Sequence, residues 1–213
     1  MIMSTLKEKL VDFEKQIKET TKEEDLQILF EKLAPAFLYG GYIQVREDFK
    51  VFIKTVEFYF HSEKPDGVHD PIVYHRDGRG LDKVPYFPIM TLHSHDSGFD
   101  ITFESEAKKY RASVLIRAYE VKYNEEYLEW NKEDKYISHP TYKFNTQSLY
   151  LRKLLNGFSL IKDNEIQWKD EPREQSVLPI KKKRRNVYQY DRAGNKTKCD
   201  RFWSFTRQED IVL

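Results

Sequence analysis

The residue types that could do chemistry in this chain crowd into one window. Five of its six histidines, His61, His69, His75, His93 and His95, fall between residues 61 and 95, with Asp66, Asp70 and Asp96 beside them. Such side chains ligate zinc or iron, and His93 and His95, two residues apart, would share one face of a strand. The window holds no HExxH helix and no paired Cys/His spacing, however. The same histidines therefore also read as solvated or hydrogen-bonded loop groups, or as groups for stacking and acid/base work. Glu57 lies just ahead of them in TVEFYF, a strand that reads as half buried. There a carboxylate with a raised pKa could act as a general base, or could simply pair with a lysine at a strand edge.

A second concentration lies near the end of the chain. Between residues 176 and 207 stand ten basic residues (Lys181, Lys182, Lys183, Arg184, Arg185, Arg192, Lys196, Lys198, Arg201 and Arg207) against Asp191 and Asp200. That local balance of +8 leaves −7 for the remainder of a chain whose formal total is +1. Clustered cations neutralise phosphates by releasing counterions, and the interleaved Tyr188, Tyr190, Phe202, Trp203 and Phe205 suit packing against bases. The other reading is a solvated basic face with its aromatics in the core.

The elements that must position these groups follow from periodicity. Leu6, Leu10, Phe13 and Ile17 recur at helical spacing, so residues 4–19 read as an amphipathic helix behind a Ser4 or Thr5 cap. A second helix runs through Leu26, Leu29 and Leu33 and is expected to stop near Pro35. From residue 42 the period changes: YIQVR, KVFIKTVEFYF, MTLHSH, GFDITFE and RASVLIRAYEV predict a central sheet of about five strands. Residues 123–142 read as a surface excursion, SLYLRKLLNGFSL as a short helix stopped by Gly157, and EIQWKDEP, NVYQYD and RFWSFT as late strands. Helices, then sheet, then helix without regular alternation predict an α+β fold in a single domain, with a central, mostly antiparallel curved sheet and flanking helices. The one cysteine, Cys199, rules out an intrachain disulfide and suits a reducing cytoplasm. No run of about 18 apolar residues is present for a membrane span.

Taken in order, the pieces resemble the alkyladenine (3-methyladenine) DNA glycosylase family, enzymes of base-excision repair that extrude a damaged purine and hydrolyse its N-glycosidic bond. LAPAFLYGGYI resembles the family's opening turn into its first strand, and KTVEFYF is similar to its V-E-T-E-A-Y strand. GVHDPIVYHR stands where its D-P-A-S-H loop falls, and SVLIRAYE resembles V-L-I-R-A-L-E-P. LRKLLNGFSL sits at its L-x-x-A-L-G-I helix, and KKKRRNV followed by DRFWSF resembles P-R-I-G-I followed by R-P-W-R-F. The match runs from about residue 33 to 206, which makes 1–32 a helical extension and 33–213 the glycosylase-like domain.

In that family the second glutamate of V-E-T-E-A-Y activates water and the tyrosine two places later stacks on the extruded base. Aligned on the first glutamate at Glu57, the chain has Tyr59 at the water-activating position and His61 at the stacking position. The loop histidine falls at Tyr74 or His75. A phenol is a poor base at neutral pH, so the resemblance implies either lost catalysis or a replacement carboxylate. The candidates are Glu57, set about 6–7 Å back along the strand, and Asp66 or Asp70 from the loop. It further implies a base pocket of Tyr59, His61, Tyr74 and His75, and nucleic-acid contact by Arg117, Lys182, Lys183, Arg184, Arg185 and Arg201. The expected protein is a monomer that binds nucleic acid, duplex DNA in particular, with no membrane contact, no cofactor and altered or lost catalysis. An active glycosylase, or a metal-dependent hydrolase using the histidines from His61 to His95, are the alternatives.

Overall fold

The computed structural model describes residues 4–47, 49–70, 73, 85–95, 98–123, 126–127, 166–172, 178–184, 188–190, 196–198 and 200–208. Two helices, α1 (Leu6–Gln16) and α2 (Glu23–Tyr39), precede the strands β1 (Gly41–Val45), β2 (Phe49–Ser62), β3 (Thr91–His95), β4 (Gly98–Thr102) and β5 (Tyr110–Tyr123). Short strands follow: β6 (Glu126–Tyr127), β7 (Ile166–Asp170), β8 (Ile180–Lys182), β9 (Tyr188–Tyr190), β10 (Lys196–Lys198) and β11 (Ser204–Thr206). The short helix expected over residues 148–160 and most of the 123–142 excursion lie outside the described residues, as do Tyr74, His75 and Arg185.

Local chemistry explains the helix ends. Thr5 accepts from the Glu8 amide while the Glu8 carboxylate takes the Thr5 amide, a reciprocal cap that satisfies two orphan donors. Helix α1 stops at Gln16, and Lys108, from the far side of the chain, donates to the carbonyls of Glu14, Lys15 and Ile17. A cation on these last carbonyls supplies the partners that a helix C-terminus lacks. Helix α2 does not stop near Pro35 as expected but continues to Tyr39. Pro35 gives up one backbone hydrogen bond, and the burial of Ala36, Phe37, Leu38 and Tyr39 beyond it outweighs that loss.

Among the described residues the main sheet has nine strands, all paired antiparallel, in the order β3-β4-β5-β2-β1-β7, with β6 on β5 and with β11 and then β8 alongside β2. Strands β9 and β10 form a separate pair. Gly41 is required where β1 meets β7, because a Cβ there would lie 2.0 Å from the Lys169 carbonyl oxygen. The long β2–β5 ladder is regular from Ser62↔Tyr110 to Val56↔Ile116, then shifts at Thr55↔Ala118 and Ile53↔Tyr119, passing over Lys54 and Arg117. A bulge of this kind adds twist and re-aims side chains. Here it also reverses which residues face inward: Val56, Phe58 and Phe60 join the core on one side of it, Val51 and Ile53 on the other.

The core is built between this face and the two helices. Phe30 of α2 stacks on Phe13 of α1 at 5.7 Å and on Phe58 of β2 at 4.5 Å, and meets the Trp203 ring edge-on at 5.0 Å. Each such ring contributes roughly 1.5–3 kcal/mol by leaving water. Leu6, Leu10 and Phe13 belong to the same cluster as the sheet residues, and residue 32 falls inside α2. The helices within residues 4–32 thus pack in the core layer. On the opposite face of the sheet a small cluster of Tyr59, Val73 and Leu115 is buried separately.

Candidate functional site

Alternation along β2 turns Val56, Phe58 and Phe60 to the helices, so Glu57, Tyr59 and His61 face the other way. Leu115 and Ser113 lie opposite Glu57 and Tyr59 on β5, and Arg117, two residues beyond Leu115 and at the irregularity, shares their face. Three hydrogen bonds converge on Glu57 Oε2: from Arg117 Nε at 2.8 Å, Arg117 Nη2 at 2.7 Å and the Tyr59 hydroxyl at 2.9 Å. Arg117 Nη2 also donates to the Tyr59 oxygen at 3.1 Å. All three residues are buried. Burial, followed by the Glu57 charge, pushes the Tyr59 phenol well above the ordinary tyrosine range, so it remains a donor. Burial pulls the Arg117 pKa down, but electrostatic attraction to and hydrogen bonds with Tyr59 and Glu57 outweigh it and leave the group above its ordinary value.

A second ion pair adjoins the first. Asp70 and Arg184, both with fully buried side chains, meet at 2.6 Å. Just beyond the Ser204↔Glu57 pair where β11 begins, Arg184 Nη1 donates to the Phe58 carbonyl at 3.2 Å. Its guanidinium lies 4.9 Å from the Tyr59 ring centre and 5.0 Å from that of Trp203. Arg201 covers Trp203 at 4.6 Å, approaches Asp70 at 3.7 Å, donates to the His69 carbonyl at 3.1 Å and pairs with Glu23 of α2 at 2.9 Å. The arrangement is a chain of carboxylates and guanidiniums with one tyrosine at its centre: its hydroxyl on Glu57 and Arg117, its face toward Arg184. Placing two ion pairs out of water is costly unless geometry and further hydrogen bonds compensate, as those to the Tyr59 oxygen and the Phe58 carbonyl do here.

Further along the same face Arg111 joins two more acids. It reaches Glu63 at 2.9 Å, Glu104 at 3.1 Å and the Pro85 carbonyl at 3.2 Å, and lies 3.9 Å over the Tyr86 ring. The Phe87 amide donates to Glu104 at 2.8 Å and the Tyr86 hydroxyl to Glu63. Burial pushes the Glu104 carboxyl up to about 7 against the pull of the Phe87 amide and Arg111. Glu63, also raised by burial, ends below its ordinary value because Tyr86 and Arg111 hold its charged form.

The other predicted site residues fall differently. His61 meets the His69 ring edge-on at 5.1 Å, and His69 Nε2 lies 2.9 Å from the Lys64 carbonyl, which makes that nitrogen the protonated one. His93 packs on Phe87 at 4.6 Å. Among the described residues no three His, Cys, Asp or Glu side chains come together as a ligand set. Asp66 is exposed in the turn after β2, whereas Asp70 is buried. Lys182 and Lys183 are exposed, and Lys183 pairs with Asp200 at 2.7 Å and lies 5.3 Å over Phe202. Arg117 and Arg184 were expected to grip nucleic acid, but both lie inside the protein on carboxylates. Lys181 pairs with Glu31 of α2 at 2.5 Å. Among the described residues, Lys181, Lys183, Arg184 and Arg201 of this basic segment thus answer acids within the fold, Glu31, Asp200, Asp70 and Glu23 in turn.

No family model matches the chain, and neither does any curated protein or solved structure. The described part is an α+β protein with an open antiparallel sheet, and no helix in it is long and apolar enough to cross a membrane.

Proposed function

We propose that this chain is an N-glycosylase of the alkyladenine DNA glycosylase kind, in which Glu57 itself activates water and Tyr59 is the ring against which an extruded purine stacks. The observation that carries this reading is the hydrogen-bonded pair of Glu57 and Tyr59, buried side by side on one sheet face with Arg117 behind them. It moves the register of the resemblance by two residues. The motif's E-A-Y then falls on Glu57-Phe58-Tyr59, and no carboxylate has to be relocated from the loop. His61, Asp66 and Asp70 lose the chemical roles first considered for them, and Asp70 becomes the partner of Arg184.

The proposed reaction uses these positions and requires that binding of the duplex uncover Glu57 and Tyr59, which are 1% and 7% exposed. Arg117, bonded twice to Oε2, fixes the Glu57 carboxylate, which takes a proton from water as the water oxygen bonds to the sugar C1′. The bond from C1′ to the base nitrogen breaks, and its electron pair leaves with the purine. Arg184, set between Tyr59 and Trp203, holds the tyrosine ring in place. Exposed Lys182 and Lys183, beside Phe202, would meet the phosphates of duplex DNA, and the enzyme would act as a cytoplasmic monomer on alkylated or deaminated purines. The test is release of free base from duplex and single-stranded oligonucleotides carrying 3-methyladenine or hypoxanthine. Glu57→Gln should lower the rate at least a hundredfold while the protein stays folded. Folded protein that binds these oligonucleotides with a steep salt dependence but releases nothing would replace this proposal with the binding-only reading.

A further inference from the structure

Between Pro85 and Pro88 the chain runs as a strap that leads toward β3, and none of its four residues is buried. What holds it down is a set of charged groups. Arg111 of β5 donates to the Pro85 carbonyl at 3.2 Å and lies 3.9 Å over the Tyr86 ring. The Tyr86 hydroxyl donates to Glu63, just after β2, and the Phe87 amide donates to Glu104 at 2.8 Å. The Phe87 ring packs on His93 of β3 at 4.6 Å, and the Pro88 carbonyl accepts from the Thr91 amide at 3.1 Å. Arg111 stands opposite His61, two residues from Tyr59 on β2, so the strap covers the neighbouring stretch of the face that carries Glu57.

The charges under the strap do not balance. One guanidinium serves two carboxylates, Glu63 at 2.9 Å and Glu104 at 3.1 Å. Glu63 keeps contact with water, its side chain being 20% exposed, whereas the Glu104 side chain is fully buried. Both donors to Glu104 meet Oε2, and Oε1 has no hydrogen-bond partner among the described residues. An ionised Glu104 would place part of its charge on an oxygen with neither donor nor water, which is costly. The protonated acid avoids that cost, and burial accordingly raises its pKa to about 7. The remaining titratable groups leave Oε1 unserved: Lys109 acts on Glu63 from over the Tyr86 ring, Glu106 acts on Tyr86, Tyr110 feels the Glu104 charge, and His93 meets the strap through Phe87. We propose that residues 85–88 form a pH-gated strap, closed while Glu104 is protonated and lifted when it ionises, so that water reaches the carboxylate. A group that titrates at about 7 when covered and at 4.5 when hydrated makes opening up to about tenfold more frequent per pH unit between those values, roughly 300-fold in all, with no further rise above them. The gate needs nothing from the glycosylase reading.

Amide hydrogen exchange between pH 5 and 8 tests it, read at Phe87 as a protection factor, which divides out the intrinsic pH dependence of exchange. Protection should fall about tenfold per unit up to about 7 and then level off. The Phe58 amide, bonded to the Trp203 carbonyl inside the sheet, should stay better protected throughout. Glu104→Gln keeps an acceptor for the Phe87 amide without a charge, so protection there should become independent of pH. Tyr86→Phe, which drops only the bond to Glu63, should lower protection about fivefold at every pH and leave the slope intact. Equal protection at Phe87 and Phe58 would mean that only global unfolding frees the strap, and a slope that survives Glu104→Gln would assign the titration to His93. Either outcome, or the absence of a slope in the parent, overturns the proposal.

Discussion

Replacing Arg184 by methionine removes a guanidinium while keeping most of the side chain's length, and the structure allows the cost to be worked out. Its partner Asp70 is as fully buried as Arg184 itself. Breaking such a pair from one side typically costs about 3–5 kcal/mol, because a buried charge is left behind. Arg201, 3.7 Å from Asp70, softens that toward the lower end. Loss of the Phe58 carbonyl bond adds about 1 kcal/mol, and methionine's contact with the Tyr59 and Trp203 rings offsets part of the lost cation–π attraction. The expected total is about 4 kcal/mol, or roughly 8–16 °C in Tm for a chain of this size. Urea unfolding followed by tryptophan fluorescence measures it directly, with buried Trp203 lying against Arg184 as a local reporter. Asp70→Asn together with Arg184→Met should cost less than the arginine change alone, with a coupling of at least about 1.5 kcal/mol. A single-variant loss below about 1 kcal/mol, or additivity within about 0.5 kcal/mol, would refute the picture of a closed, water-free ion pair.

Two further expectations concern other clusters. Glu104 is raised from its ordinary 4.5 to about 7, so between those values the folded protein keeps a proton that the unfolded chain has released. Stability should fall as pH rises through that window, by about 3 kcal/mol, and Glu104→Gln should flatten that slope in urea unfolding run from pH 4.5 to 8. Glu63, held below its ordinary value, acts the other way and only at more acid pH, where its contribution is lost as it protonates. Lys108→Met should uncap α1 and cost about 1–2 kcal/mol, seen as faster hydrogen exchange in the last turn of that helix. Unchanged exchange there would mean that water serves the carbonyls equally well.

The helices and long strands were legible because their burial follows simple periods. Leu6, Leu10 and Phe13 marked α1, and KVFIKTVEFYF and RASVLIRAYEV marked β2 and β5. The end of α2 was misread because Pro35 is a local signal, and the apolar residues beyond it bind the helix to the core. Glu57, Tyr59, Arg117 and Asp70 were all singled out by type, but their partnerships were not visible. Glu57 and Arg117 are sixty positions apart, and Asp70 and Arg184 nearly twice that. The charge asymmetry was read correctly as a number and incompletely as a cause. Clustered cations look the same in sequence whether phosphate or a neighbouring helix's carboxylates await them, and only the placement of Glu23 and Glu31 separates the two. The Arg111 cluster went unnoticed because its members are spread over three segments with no local motif.

The passed-over pair at Lys54 and Arg117 has a consequence for how this sheet can change over time. Each strand alternates in one phase before the irregularity and in the other after it, and the two reversals coincide. Deleting one residue from either strand away from this irregularity would turn the apolar side chains on one side of the cut to the wrong face, whereas removing Lys54 from β2 or Arg117 from β5 leaves that strand with a single unbroken alternation. In β5 the residue that can be lost without misfacing the core is the arginine that meets Glu57, so the irregularity and the ion pair persist or disappear together.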